Sequence, residues 1–241
     1  MKTKINKFGF EIEAEFSTDI RNKLRNYGEI RGDGSINRCR GNSKTCPDYN
    51  EGGNSLECAE FVSRPYLLTE KKEVKKLFAL LIEARKAKKH HWNASMGFHI
   101  HVSFKPQMPV EIFSTQFADY FFKAMAEDLD MKGVITRRGN NKYCKIGEYN
   151  DRDIYAGIDR YRAINFKPAY DKHGTVEFRI WPSASPWRMY KFLVFTLKTI
   201  KLFLQENLEV SYASEFGGEK STRKYIFEAK SFELKPVNIN V

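Results

Sequence analysis

Hydrophobic and polar residues alternate near the N-terminus, and this period of two predicts a β-strand. Residues 7–16 (KFGFEIEAEF) separate a phenylalanine-rich face from a face that carries Glu11, Glu13 and Glu15. Like charges on one strand face repel each other. The acidic face is therefore either an exposed charged surface or part of a cavity in which cations neutralise it. Glu15 lies one step beyond the other two, and we expect it at the exposed rim.

The same alternation recurs in residues 97–104 (GFHIHVSF), which place His99 and His101 on one face and apolar side chains on the other. Imidazole is a common neutral metal ligand and proton carrier near neutral pH. Two histidines on a buried strand are also often ordinary hydrogen-bonded residues. This strand alone leaves both interpretations open.

Two further strands are predicted in the C-terminal half. Residues 175–181 (TVEFRIW) alternate most regularly and place Glu177 and Arg179 on the polar side. Residues 160–167 (RYRAINFK) form the other strand. Its polar side chains are Arg160 and Arg162 on one face and Asn165 on the opposite face.

Two strands precede the histidine strand. Residues 56–63 (LECAEFVS) contain Glu57 and Glu60, which face opposite ways in a regular strand. Only one of them reaches a shared site unless a β-bulge intervenes. Residues 29–36 predict a strand that ends in a turn at Asp33, either a turn former or a site residue.

Apolar residues at helical spacing predict amphipathic helices over residues 69–89, 111–128 and 186–205. The pair His90 and His91 ends the first helix, where cations suit the helix dipole. Residues 131–159 are polar and predict a long loop. Arg137 and Arg138 in that loop either keep it soluble or cover a phosphate.

These elements predict an α+β fold. Its sheet is curved and mainly antiparallel, with a charged concave active-site face and helices on the convex apolar face. The 241 residues are expected to form a single catalytic domain over residues 1–210, with an insertion loop at residues 39–54. Residues 211–241 form a C-terminal extension.

The chain carries 41 basic and 30 acidic residues, a net charge of +11. This charge favours anionic partners, although a solvated lysine-rich surface explains it equally well. No nucleic-acid-binding motif is visible, so nucleic acid is not an expected partner. The four cysteines fit no paired zinc motif and are interpreted as reduced thiols. The chain has neither a signal-peptide core nor a long apolar run, so we expect a cytoplasmic protein without membrane contact. Its oligomeric state stays open.

Carboxylates, imidazole and arginine together point to one kind of chemistry. Hard divalent cations such as Mg²⁺ and Mn²⁺ bind oxygen-rich sites and phosphates in the same coordination shell. Arginine recognises phosphate with two parallel hydrogen bonds. The combination favours metal-assisted phosphoryl transfer.

Three segments carry a resemblance to a known superfamily. FGFEIE, GFHIHVS and TVEFR follow the same order as the catalytic strands of glutamine synthetase. The segments DGSI and EFVSRP look more like the glutamate–cysteine ligase side of that superfamily. Over roughly residues 7–205, the chain most resembles the small amidoligase proteins of bacteria and phages. It lacks the extra N-terminal domain of glutamine synthetase, so its substrates can differ.

The resemblance implies a glutamine synthetase-like catalytic domain that binds ATP with two or three Mg²⁺ or Mn²⁺ ions. Such enzymes are ATP-dependent carboxylate–amine ligases. They transfer the γ-phosphate to a carboxylate, and an amine then attacks the acyl phosphate to form an amide. The substrates would be small-molecule or peptide carboxylates and amines, whose identity stays open.

The resemblance also implies roles for individual residues. Arg179, with Arg162 or Arg160, would neutralise the transferred phosphoryl group. The expected metal ligands are Glu11, His99 and Glu177 for one ion, and Glu13 with Glu60, or Glu57 in its place, for the other. The expected nucleotide contacts are His101 and Ser103, and Asn93 and Gly97 fall where the family contacts the amino-acid substrate. Asp33 and Asn165 are further candidate substrate contacts, and the role of Asn165 stays open.

Two other classes of function stay open. One is a kinase of the same fold that phosphorylates small nitrogen nucleophiles such as guanidino compounds. The other is a non-catalytic protein that binds nucleic acid or another polyanion through its positive charge, which would make binding strongly salt-dependent.

Overall fold

The structure is a computed structural model that describes residues 2–32, 56–92, 96–107, 109–138, 141–147, 149, 154, 161–170 and 173–216, with side chains up to residue 206. The described elements, in chain order, are β1 (Lys4–Phe16), α1 (Thr18–Leu24), β2 (Gly28–Arg31), β3 (Glu57–Ser63), α2 (Lys71–Lys86), β4 (His90–His91), β5 (Phe98–Lys105), α3 (Thr115–Glu127), α4 (Lys132–Arg138), β6 (Ile164–Asn165), α5 (Lys167–Tyr170), β7 (Val176–Phe178) and α6 (Pro186–Phe216). The predicted α+β class is confirmed.

The strands form one sheet in the order β2-β3-β1-β5-β7-β6, and β4 also pairs with β1. All of these pairings are antiparallel, as the sequence predicts. β1 is long enough to pair with β3 on one side and with both β5 and β4 on the other. The acidic strand therefore lies in the middle of the sheet.

The apolar face of the sheet is covered by helices. Phe10 of β1 lies 5.5 Å, between ring centroids, from Phe78 of α2. On β7, Phe178 lies 4.9 Å from Phe121 of α3. Such aromatic pairs bury large areas and favour tilted or offset geometries. The opposite face is left for the polar side chains.

Several elements differ from the sequence prediction. β7 and β6 are shorter than the alternating patterns that contain them. α4 lies inside the segment predicted as a loop. α3 starts at Thr115 because Ser114 is its N-cap and accepts a hydrogen bond from the Phe117 N–H at 3.2 Å. His90 and His91 form β4 and pair with β1, so their predicted place at a helix end is wrong.

Some predictions fall outside the described residues. These are the insertion loop at residues 39–54 and the part of the C-terminal extension beyond residue 216. None of the described helices is both long and apolar enough to span a membrane.

Candidate active site

The strand register builds a continuous row of polar side chains across five strands. Glu13 of β1 pairs with Glu60 of β3, and Glu11 pairs with His99 of β5. Further along the row, His101 pairs with Glu177 of β7, and Glu177 with Asn165 of β6. Because side chains alternate along each strand, the residues that share this face are Glu11, Glu13, Glu60, His99, His101, Glu177 and Asn165.

His99 lies at the centre of the row. Its Nδ1 is 3.2 Å from Glu11 Oε2 and 3.4 Å from Glu177 Oε1. Its Nε2 is 3.8 Å from Glu13 Oε1. The ring therefore contacts carboxylates that come from two different strands.

His101 contacts the same carboxylates from the other side. Its Nε2 lies 3.4 Å from Glu11 Oε1 and 3.9 Å from Glu177 Oε1, and its Nδ1 lies 3.3 Å from Thr175 Oγ1. Burial alone would lower the pKa of His101, but Glu11 and Glu177 outweigh it and the pKa is raised. Burial likewise acts to raise the pKa of Glu11, yet the two imidazoles hold that pKa well below its usual range.

Glu177 is held by two donors. Asn165 Nδ2 donates to its Oε2 at 2.6 Å, and Arg179 Nη1 donates to its Oε1 at 2.6 Å. Arg179 also donates from Nε to the Tyr143 carbonyl at 3.4 Å. These bonds orient both the Glu177 carboxylate and the Arg179 guanidinium.

Two overlapping sets of side chains have the composition of a metal site. Glu11, His101 and Glu177 form one set, and Glu11, Glu60 and His99 form the other; the ligand atoms of each set lie within 4.8 Å of one another. Carboxylate oxygens suit Mn²⁺ and Mg²⁺. Glu11 belongs to both sets.

Gly97 is required by the packing of this site. A Cβ at this position would lie 2.6 Å from His99 Nε2 and 3.3 Å from Glu13 Oε2. The Gly97 N–H donates to Glu13 Oε2 at 2.6 Å. In the structure Gly97 therefore leaves room for the His99 ring and holds the Glu13 carboxylate; its predicted substrate contact stays a prediction.

The remaining predicted residues are placed as follows. Ser103 accepts a hydrogen bond from the Lys7 N–H at 3.2 Å and donates to the Lys7 carbonyl at 3.3 Å. The Arg162 guanidinium lies 4.9 Å from the centre of the Tyr149 ring, in a cation–π contact. Asp33, Asn93 and Arg160 lie outside the described residues.

Glu57 does not reach this site. It pairs with Phe16, on the face that the helices cover, and its carboxylate forms a salt bridge with Arg21 of α1. Glu60 lies on the polar face, opposite Glu13. We therefore remove Glu57 from the candidate ligands. Because β3 is regularly pleated, the Glu57 and Glu60 carboxylates lie on opposite faces of the sheet.

Sequence reasoning missed Arg31. It lies opposite Glu60 in the β2–β3 pair and donates to Glu29 Oε2 at 2.8 Å. That bond, with the charges of Glu60 and Glu11, raises the pKa of Arg31 against a smaller opposing effect of burial. The strand predicted over residues 29–36 contains Arg31, but the pairing of that strand with β3 cannot be read from a single sequence.

The expected rim position of Glu15 is wrong, because this residue is only 1% exposed. Cys58 Sγ lies 3.7 Å from Glu15 Oε1, and His91 Nδ1 lies 3.9 Å from Glu15 Oε2. The row of polar side chains therefore continues past Glu13 to the end of β1. The alternation that places Glu11 and Glu13 on the polar face of the sheet also places Glu15 there.

Comparisons of the chain with protein-family models, with curated proteins and with solved structures find no match.

Proposed function

We propose that this chain is an ATP-dependent carboxylate–amine ligase with a glutamine synthetase-like catalytic domain. The observation that carries the proposal is the assembly of Glu11, His99 and Glu177 from three strands, with Glu13 and Glu60 beside them. The same five residues are those that the resemblance assigns to metal binding. The amino-acid composition alone does not predict that these five residues lie together.

The side chains fit divalent cations, which the proposal requires. Glu11, His101 and Glu177 would hold one ion, and Glu11, Glu60 and His99 would hold another. Such ions neutralise phosphate oxygens and polarise the phosphorus toward attack. The geometry supports adding His101 to these ligands, beyond the nucleotide contact that the resemblance implies. It groups them differently from the resemblance: His101, not His99, shares a set with Glu177, and neither set among the described residues contains Glu13.

The position of Arg179 supports the proposed role in stabilising the transferred phosphoryl group. Its guanidinium lies beside Glu177 at the edge of the cluster. A fixed positive charge stabilises the charge that develops during transfer without having to reorient. Asn165 holds Glu177 from the other side, so the carboxylate cannot rotate to follow Arg179.

The acidic face favours this proposal over polyanion binding. Four carboxylates, from Glu11, Glu13, Glu60 and Glu177, share one face of the sheet. A nucleic-acid backbone would be repelled by that face, whereas a nucleotide with divalent cations would not. The positive charge elsewhere on the chain remains suited to attracting nucleotides.

The test is to incubate the protein with ATP, Mg²⁺ or Mn²⁺, and pools of carboxylic acids and amines, and to analyse the products by mass spectrometry. A ligase yields a conjugate with the mass of acid plus amine minus one water, together with ADP and phosphate. We expect Glu177→Ala and His99→Ala to abolish conjugate formation. Glu57→Gln, on the opposite face, is the matched control and should retain it.

Two results would contradict the proposal. One is a phosphorylated product without a conjugate, which would assign the site to a kinase of the same fold. The other is ATP consumption that is unchanged in Glu177→Ala and His99→Ala when the correct substrates are present.

A further inference from the structure

Arg138 is a buried arginine whose guanidinium is not fully used. It is the last residue of α4 and is only 8% exposed. Its Nε and Nη1 atoms are buried and make no hydrogen bond within the part of the chain that the structure describes. The preceding residue, Arg137, is exposed and donates from Nε to the Gly133 carbonyl at 2.9 Å.

A buried cation with idle donors is unfavourable. Guanidinium remains charged at any pH that a protein tolerates, so burial cannot be relieved by deprotonation. Removing such a charge from water without an acceptor costs free energy, and a bound anion would recover it through both charge and hydrogen bonds. The helix dipole of α4 favours a cation at its last turn, but it does not provide acceptors for Nε and Nη1. An anionic ligand would satisfy both the charge and the donors.

The surroundings place Arg138 next to the phosphoryl-transfer end of the site. Cys144 Sγ donates to the Arg138 carbonyl at 3.6 Å, and Arg179 Nε donates to the adjacent Tyr143 carbonyl at 3.4 Å. Burial raises the pKa of the Cys144 thiol, and the charge of Arg138, a hydrogen bond with the Arg138 side chain and the charge of Arg179 oppose that rise. Both guanidiniums therefore lie close enough to the Cys144 thiol to affect its pKa.

Arg179 connects this turn to the polar row. Its Nη1 lies 2.6 Å from Glu177, at the β7 end of the cluster. Glu13 and Glu60, which the resemblance assigns to the side of the substrate carboxylate, lie on β1 and β3 at the other end of the row. An anion bound between Arg138 and Arg179 would thus lie beside Glu177, where the phosphates are expected.

We propose that Arg138 is a phosphate-binding residue that, together with Arg179, receives the terminal phosphate of a bound nucleotide. This inference rests on the proposed function for the identity of the anion. Two guanidiniums offer several N–H donors to the three terminal oxygens of a phosphate, and such charge-assisted bonds are short and strong. The ordered but unused donors of Arg138 are ready for this ligand before it arrives, which limits the entropy lost on binding.

The experiment compares Arg138→Met, Arg138→Lys and the control Arg137→Gln in the full chain. Binding of Mg·ATP, of inorganic tripolyphosphate and of the dicarboxylate glutarate is measured by titration calorimetry, and stability without ligand is measured by thermal unfolding. We expect Arg138→Met to weaken Mg·ATP and tripolyphosphate binding about ten- to a hundredfold. Arg138→Lys keeps the charge but loses the planar fork and should be intermediate. Arg137→Gln removes the same charge from an exposed position and should leave both affinities within about twofold.

Stability gives a second, independent readout. Because the guanidinium has idle donors, Arg138→Met should unfold at the same temperature as the unmodified protein, or at a higher one, in the absence of ligand. A marked loss of stability or failure to fold in Arg138→Met would overturn the proposal, since it would make Arg138 a structural residue. Unchanged phosphate affinity would also overturn it, as would a loss confined to glutarate, which would assign Arg138 to the acid substrate.

The outcomes separate this inference from the proposed function. Phosphate binding that depends on Arg138 in a protein that forms no amide supports the inference and contradicts the ligase. Amide formation together with unchanged phosphate affinity in Arg138→Met supports the ligase and contradicts the inference about Arg138.

Discussion

Glu57 and Glu60 have the same chemistry and lie three residues apart on one strand, yet they have different environments. The pleat places Glu60 on the polar face opposite Glu13 and Glu57 on the helix face beside Arg21. Like charges directly opposite each other are unfavourable, so Glu13 and Glu60 gain most from a bound cation. A residue's face, more than its type, decides its role here.

Glu60→Gln should therefore weaken Mn²⁺ binding, whereas Glu57→Gln should not. Removing groups that only support a metal ligand already costs about 10- to 100-fold in affinity, so we expect at least a tenfold loss for Glu60→Gln. The Mn²⁺ affinity of both variants is measured by titration, in which electron paramagnetic resonance detects the free ion. Equal Mn²⁺ affinities in the two variants would show that Glu60 is not a metal ligand.

His90 shows the opposite kind of histidine. It is 0% exposed, and its ring stacks on Phe16 with centroids 5.1 Å apart. Burial, with the nearby charges of Arg85 and His91, lowers its pKa from 6.5 to about 3. His90 is therefore a neutral core residue, on the face opposite His99 and His101.

The depressed pKa of His90 predicts acid sensitivity. The unfolded chain binds a proton near pH 6.5 and the folded chain only near pH 3, so stability is greatest above pH 6.5 and falls as pH decreases through this window. The slope contributed by one such group is at most about 1.4 kcal/mol per pH unit. His90→Phe keeps the stacked ring and should flatten the curve between these limits.

Urea unfolding at a series of pH values measures the difference between His90→Phe and the unmodified protein. The difference should be small at pH 7.5 and should grow in favour of the variant as the pH falls. Parallel curves for the two proteins would show that His90 is not the group that titrates.

At the scale of elements, β1 and the helices on its apolar side determine where the site forms. β1 bonds to β3, β5 and β4, so one long strand aligns three others. β7 has only three residues, and its position depends on side chains as well as on its ladder. Phe178 of β7 packs against both Phe117 and Phe121 of α3.

Phe121→Ala should destabilise the protein strongly. Phe121 is 0% exposed and contacts rings from β7, α6 and the segment that follows β7. Truncation of a buried phenylalanine costs about 3–5 kcal/mol. Phe122→Ala, at the neighbouring half-buried position, is the control and should cost clearly less.

Chemical denaturation gives the free energies of unfolding of Phe121→Ala and Phe122→Ala. Because Phe178 flanks Glu177, any Phe121→Ala protein that remains folded should also bind divalent cations more weakly than Phe122→Ala. Equal stability of the two variants would mean that α3 does not support β7 in the way described.

At the scale of the whole molecule, a basic protein concentrates acidic groups on one face of its sheet. The net charge is +11, while Glu11, Glu13, Glu60 and Glu177 lie close together. Mutual repulsion in such a cluster is relieved either by the imidazoles or by a cation. The raised pKa of His101 reflects the first form of relief.

Divalent cations should therefore stabilise the protein. At a concentration one hundred times the dissociation constant, binding to the folded state alone adds about 2.7 kcal/mol. We expect Mn²⁺ and Mg²⁺ to raise the melting temperature, a chelator to reverse the rise, and Glu11→Gln, which affects both candidate sites, to abolish it. A rise that persists in Glu11→Gln would place the cation elsewhere.

The sequence by itself determined the polar and apolar faces of the strands. Alternation in residues 7–16 and 97–104 fixed which side chains share a face, because the strand pleat has a period of two. The helical spacing of apolar residues indicated the main helices and, together with the strands, the α+β class. The strand patterns also indicated most of the candidate cluster. These are local properties that neighbouring residues in the chain decide.

The tertiary structure decided what depends on pairing and packing between distant segments. Register placed Glu60 rather than Glu57 opposite Glu13, brought Arg31 beside them and buried Glu15. Packing formed α4 within a polar segment and buried Arg138 there. A single sequence does not record strand order or register, because many pairings satisfy the same alternation. Only the folded arrangement distinguishes a carboxylate in the cluster from one that supports a helix.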